Sequence, residues 1–65
     1  MTWEYRVMQR QSELAIYEVY YDEDGGVAGY SAAPTFPAGE TLDELTINCD
    51  LFLLALKKPI LQYQE

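Results

Sequence analysis

Asp22-x-Asp24-Gly25 has the opening of a calcium-binding loop, in which alternating carboxylates supply oxygen ligands ahead of a turning glycine. Such a loop needs a bidentate Glu at its twelfth position, and the twelfth residue counted from Asp22 is Ala33. Asp22-Glu23-Asp24-Gly25-Gly26 is therefore read as hairpin-turn chemistry, and no metal site is assigned. Cys49 is the single cysteine. It falls on an apolar helical stripe, where a free thiol behaves as a small hydrophobe rather than a redox centre. Histidine is absent, which removes the usual general base and the commonest metal ligand, and no paired buried acids stand out. The chain is expected to be no enzyme and to carry no cofactor. Trp3 with Tyr5, Tyr17, Tyr20, Tyr21 and Tyr30 offers rings that could stack on single-stranded bases. The basic groove such sites need is missing, so the rings are read as cross-strand pairs in a core or at an interface.

Charge points the same way. Four Lys and Arg face eleven Asp and Glu, a net charge of −7, which repels phosphate backbones and anionic headgroups. No direct nucleic-acid binding by this chain alone and no membrane insertion are expected. The apolar run Leu51–Leu56 is only six residues, against the roughly 20 that span a bilayer. Met1 to Arg10 mixes Glu4 and Arg6 with aromatics and has no continuous apolar stretch of the kind a secretory leader carries. A cytoplasmic protein is expected, and the lone Cys49 fits a reducing compartment.

Sixty-five residues make one domain, which buries only about 60% of its unfolded surface. With neither a disulfide nor histidine to bind a metal, an oligomer or a partner is the remaining external source of stability. A hydrophobic content of 49% is nonetheless too high for a disordered chain.

The elements follow from periodicity. Thr2–Arg10 alternates, with Trp3, Tyr5 and Val7 on one side and Glu4, Arg6, Met8 and Arg10 on the other, a half-buried strand. Residues 14–21, rich in β-branched and aromatic side chains, form the second strand of a hairpin. Residues 27–32 form a weaker third strand and a candidate sheet edge, because Gly29 and the alanines give it little to pack. Pro34 and Pro37 make residues 33–39 an extended connector. Thr41 and Glu44 stand at capping-box spacing and open a helix over about 41–57. Asp43 and Glu44 complement its positive end and Lys57 and Lys58 its negative end, just before Pro59. The fold class is α+β: a three-stranded antiparallel β-meander packed on one C-terminal α-helix. The tail 59–65 has two placements open, a short fourth strand or a cover for the helix.

At about 100° per residue, Leu42, Leu45, Cys49, Phe52, Leu53 and Leu56 fall on one helical stripe, the expected core face. Ile47, Leu51 and Leu54 form a second stripe roughly opposite. One sheet cannot bury both. Either Ile60, Leu61 and Tyr63 fold back over the second stripe, or a subunit or partner covers it. The second option is preferred, which makes Ile47, Leu51 and Leu54, with Tyr30 on the third strand, the candidate interface residues.

Strand, strand, Asp/Gly turn, strand, Pro-containing connector and then Gly39-Glu40-Thr41-Leu42-Asp43-Glu44-Leu45 resembles the HicB-like antitoxin family, in which a Gly-acid-Thr-Leu-acid-Glu run opens the helix of a β-β-β-α-β unit. The resemblance covers residues 17–56. The chain is also similar to a group of short bacterial proteins that end with Ala55-Leu56-x-x-Pro59 and an apolar residue. The resemblance implies a module that binds and neutralises a small basic HicA-type RNA-cleaving toxin and assembles as a dimer or tetramer. Two departures bear on this. The family's Pro-Gly-Cys before the helix is replaced by Ala33-Pro34-Thr35-Phe36-Pro37-Ala38, and the family's DNA-binding ribbon-helix-helix or helix-turn-helix has no counterpart, so operator binding is not expected. The alternative, from a different class, is a small accessory subunit that docks on a larger cellular assembly.

Overall fold

A computed structural model describes residues 1–65. Strands β1 (Thr2–Arg10), β2 (Glu13–Tyr21) and β3 (Val27–Tyr30) are followed by helix α1 (Leu42–Ala55) and a two-residue strand β4 (Leu61–Gln62). They make a four-stranded sheet in the order β3-β2-β1-β4. β1 and β2 pair antiparallel from Thr2↔Tyr21 to Arg10↔Glu13, and β3 pairs antiparallel with β2. The tail takes the fourth-strand placement: β4 runs parallel to β1 at Met8↔Leu61 and Gln9↔Gln62.

The β1–β2 hairpin turns on Gln11 and Ser12, with Gln11 in the left-handed region at φ 57. The second turn is fastened by the Asp22 carboxylate, whose Oδ1 accepts from the N–H groups of Asp24 at 3.0 Å and Gly26 at 2.9 Å, while Gly25 takes φ 83. Those backbone donors use the carboxylate as a turn clasp, the role its sequence context predicts.

Helix α1 begins where the capping residues place it. Thr41 has an extended backbone, and its hydroxyl accepts from Glu44 N–H at 3.1 Å. The reciprocal half of the expected capping box is replaced: the Glu44 carboxylate takes the Thr41 hydroxyl proton at 3.2 Å instead of reaching the Thr41 backbone N–H. Gly39 lies against this first turn, where an added Cβ would stand 2.6 Å from Leu45 N, so only glycine lets the connector approach. The helix ends earlier than expected, at Ala55, and Leu56, Lys57 and Lys58 close it with three-residue turns onto the carbonyls of Leu53, Leu54 and Ala55. Lys57 and Lys58 therefore lie past its last turn, and Lys58 instead reaches the Glu4 carboxylate.

The sheet is packed on both faces. On the helix side, Tyr5 meets Phe52 with ring centroids 4.3 Å apart, and Val7, Phe52 and Ala55 are buried. On the opposite side, Met8, Tyr17 and Val19 are the largest fully buried side chains of the molecule. Tyr21, Tyr30, Leu61 and Tyr63 cover them. Met8 belongs to the strand face that reads as polar, so the half-buried assignment of β1 is corrected: that face is buried too, by aromatics brought from other elements. Tyr63 holds the cover in place. Its ring lies 5.1 Å from that of Tyr17 and 4.7 Å from that of Tyr30, under the Arg10 guanidinium at 4.1 Å.

The helix is also turned relative to expectation. Phe52 and Ala55 are buried and Leu45, Asn48 and Cys49 half-buried, whereas Leu42, Leu53 and Leu56 are exposed. At 100° per residue the inward direction is rotated by about 50° from the predicted stripe. Asn48 explains the turn. Its Oδ1 accepts from Ala38 N–H at 2.9 Å and its Nδ2 donates to the Tyr5 hydroxyl at 3.2 Å, so a polar residue ties connector, helix and sheet together and takes a place that hydrophobicity assigned to leucine.

Candidate functional site

Because β4 joins the sheet beside β1, and Leu61 and Tyr63 pack on the face away from the helix, nothing in the chain covers the outer helix. Ile47 is 62% exposed, Leu51 43% and Leu54 50%. The three predicted positions form one continuous row, joined at its base by Trp3, which packs edge-on against Tyr5 at 5.1 Å and is itself half exposed. Trp3, Tyr5, Leu51 and Leu54, with Glu4 and Lys58, line a groove of about 340 Å³ beside the helix. Trp3 belongs to this surface, although its alternation with Tyr5 and Val7 reads as core. The signal for its position lies in where α1 stops along β1, which no local pattern specifies.

Carboxylates stand along the same helix. Asp43, Glu44 and Asp50 are exposed, and the helix has no basic residue in its last turn. The groove's own charges are paired and ordered. Glu4 Oε1 holds Lys58 Nζ, Glu4 Oε2 accepts from the Tyr21 hydroxyl at 2.6 Å, and Arg6 donates to Tyr21 Oη at 2.9 Å and to the Pro59 carbonyl at 2.8 Å. The hydrogen bond from Lys58, and after it that from Tyr21, holds the Glu4 carboxyl below its ordinary range. Burial, followed by the hydrogen bond to Glu4, pushes the Tyr21 hydroxyl up. This network clasps the exit of the helix to the edge of β1.

Tyr30, the fourth predicted interface residue, has a different position. It is half-buried on the opposite sheet face, where its hydroxyl donates to the Gln64 carbonyl and accepts from Gln64 N–H, both at 2.7 Å. It anchors the tail and is not continuous with Ile47, Leu51 and Leu54. Cys49 is half-buried rather than enclosed.

A second groove, of about 480 Å³, opens on the other flank of the helix, lined by Leu14, Ile16, Phe36, Phe52 and Leu56 among others. Sequence periodicity places Leu56 in the core and gives no role to Phe36. No helix of the chain is long and apolar enough to cross a membrane. No family model, curated protein or solved structure matches this chain.

Proposed function

We propose that this chain is a non-catalytic protein-binding module of the HicB-like kind, which covers and neutralises a small basic protein through the outer face of its helix. The observation that carries the reading is the uncovered row Ile47, Leu51, Leu54 and Trp3, left open because the tail joins the sheet edge and turns Leu61 and Tyr63 to the face away from the helix. A helix apolar on its outward side is ordinarily enclosed, and a chain in which only 6 of 65 residues are buried has no material left to enclose it. The β-β-β-α-β element order supports the family reading, since it is the order the resemblance implies. Asp43, Glu44 and Asp50 beside the apolar row, within a net charge of −7, favour a basic partner by steering and charge complementarity.

Leu51→Glu tests this. The substitution puts a charge at the centre of the row, at a position 43% exposed in the free chain, so far-ultraviolet circular dichroism is expected to remain unchanged. Affinity purification at moderate salt from the native cell extract, with partners identified by mass spectrometry, is expected to retain a small basic protein on the wild type and lose it on the variant. Loss of the fold would make the row core. Recovery of the subunits of a large assembly in place of a basic protein would favour the accessory-subunit function.

A further inference from the structure

We infer that the Trp3 groove takes an arginine side chain of the basic partner, with its guanidinium at Glu4 and its stem along Trp3 and Leu54; this deepens the proposed partner surface and rests on it. The groove sets one acid in an apolar wall. Trp3, Tyr5, Leu51 and Leu54 line it, Glu4 and Lys58 supply its only charges, and the Trp3 and Tyr5 rings meet at 84° to form a corner. That arrangement matches a long apolar stem ending in a cation, the way arginine and lysine side chains lie on apolar surfaces.

The chain already places one cation there. Lys58 Nζ sits on Glu4 Oε1, while Oε2 receives the Tyr21 hydroxyl and, at 3.4 Å, Arg6. A carboxylate offers about four acceptor sites, so these three donors leave one on Oε1 unfilled. Glu4 and Lys58 keep 34% and 42% of their side chains in solvent, so an incoming donor reaches the pair without any part of the fold opening. Charge and shape select arginine. A planar guanidinium lies flat on an aromatic ring and spreads five donors, so it shares Oε1, whereas a second ammonium, compact and strongly hydrated, crowds Lys58 as a like point charge. Lys58 is thereby a competitor built into the site: it holds Glu4 in the free chain and yields part of it to the partner.

Trp3 is the single tryptophan of the chain, so its emission reads the groove directly. The probe is the blocked peptide acetyl-Ser-Leu-Arg-Leu-Ser-amide, titrated at moderate salt beside a copy with citrulline in place of arginine. The arginine peptide is expected to bind about tenfold more tightly than the citrulline one. Glu4→Gln should weaken its binding about tenfold, and Lys58→Met should tighten it about threefold or more. Lys57→Met is the control: it makes the same change in net charge from an exposed position outside the groove, and should leave the affinity within about twofold. Circular dichroism checks that each variant folds, and if Glu4→Gln does not, the citrulline peptide and Lys58→Met still decide. Equal binding of the two peptides, no change in Trp3 emission up to about 10 mM peptide, or equal effects of Lys57→Met and Lys58→Met would overturn the inference. The peptide titration needs no partner, so the two readings fail separately. A basic protein lost on Leu51→Glu, together with any of those three results, would remove the arginine subsite and keep the partner surface. An arginine-selective groove on a chain that captures no basic protein would keep the subsite and overturn the partner reading.

Discussion

Glu4 shows how one side chain can link three elements. Its carboxylate receives Lys58 from beyond the helix and Tyr21 from β2, and both contacts favour the ionised form. A carboxyl whose folded pKa lies below its ordinary 4.5 stabilises the fold above that value, and the contribution fades as pH falls through the folded pKa. Tyr21 has the opposite sign. Its raised pKa means the folded chain holds the phenolic proton, so its contribution is present below the ordinary 10.0 and lost as pH rises through the folded value. Urea midpoints of wild type and Glu4→Gln, followed by circular dichroism, are therefore expected to converge as the pH is lowered through the acid range, with the variant's profile flatter below about 4.5. Parallel profiles would mean that Glu4 keeps its ordinary pKa in the fold.

Among the elements, the helix start is the part most directly written in residue types. The Thr41 hydroxyl oxygen accepts from the N–H three residues on, as the spacing predicts, and Thr41→Ala is expected to lower stability by about 1 kcal/mol. An unchanged melting temperature would place the cap elsewhere. The hairpin was equally legible, since alternation and turn chemistry act over a few neighbours: β1 coincides with its predicted span, and β2 and the start of β3 lie within one residue of theirs. Less legible were the features fixed by long-range contacts. Hydrophobic spacing points Leu42, Leu53 and Leu56 inward, but the hydrogen bonds that Asn48 donates to Tyr5 and accepts from Ala38 set the rotation of the helix. Periodicity weighs asparagine only as polar and cannot register that its two partners lie 43 and 10 residues away. The Ile47, Leu51 and Leu54 row was readable because it needs only the helical repeat, while Trp3 and Phe36 joined their grooves through tertiary placement.

For the molecule as a whole, the decisive fact is that a sheet of four strands has two faces and only one helix. The second face is closed by rings: Tyr17, Tyr30 and Tyr63 packed together, with Arg10 over Tyr63 and its Nε bonded to Glu65 at 2.6 Å. Tyr63→Ala would uncover Met8, Tyr17 and Val19. Full truncation of a buried large aromatic costs about 3–5 kcal/mol, and for a half-buried ring the expected loss is about 2 kcal/mol in denaturant unfolding, with faster amide exchange at Met8 and Gln9. A variant as stable as wild type would show that this face closes without the tail. The helix's outer row is open for the same reason, since the residues able to cover it are committed to the far side of the sheet.

The parallel pairing of β4 with β1 also orders events in time. β1 is an inner strand flanked by β2 on one side and β4 on the other. Its two neighbours are separated by the whole of β3, the connector and the helix. During synthesis the hairpin can close early, but the strand at the centre waits for residues 61–63 to leave the ribosome before its second edge is satisfied. Until then Met8, Tyr17 and Val19 lack the cover of Leu61 and Tyr63, and residues 61–63 act as the latch that completes it.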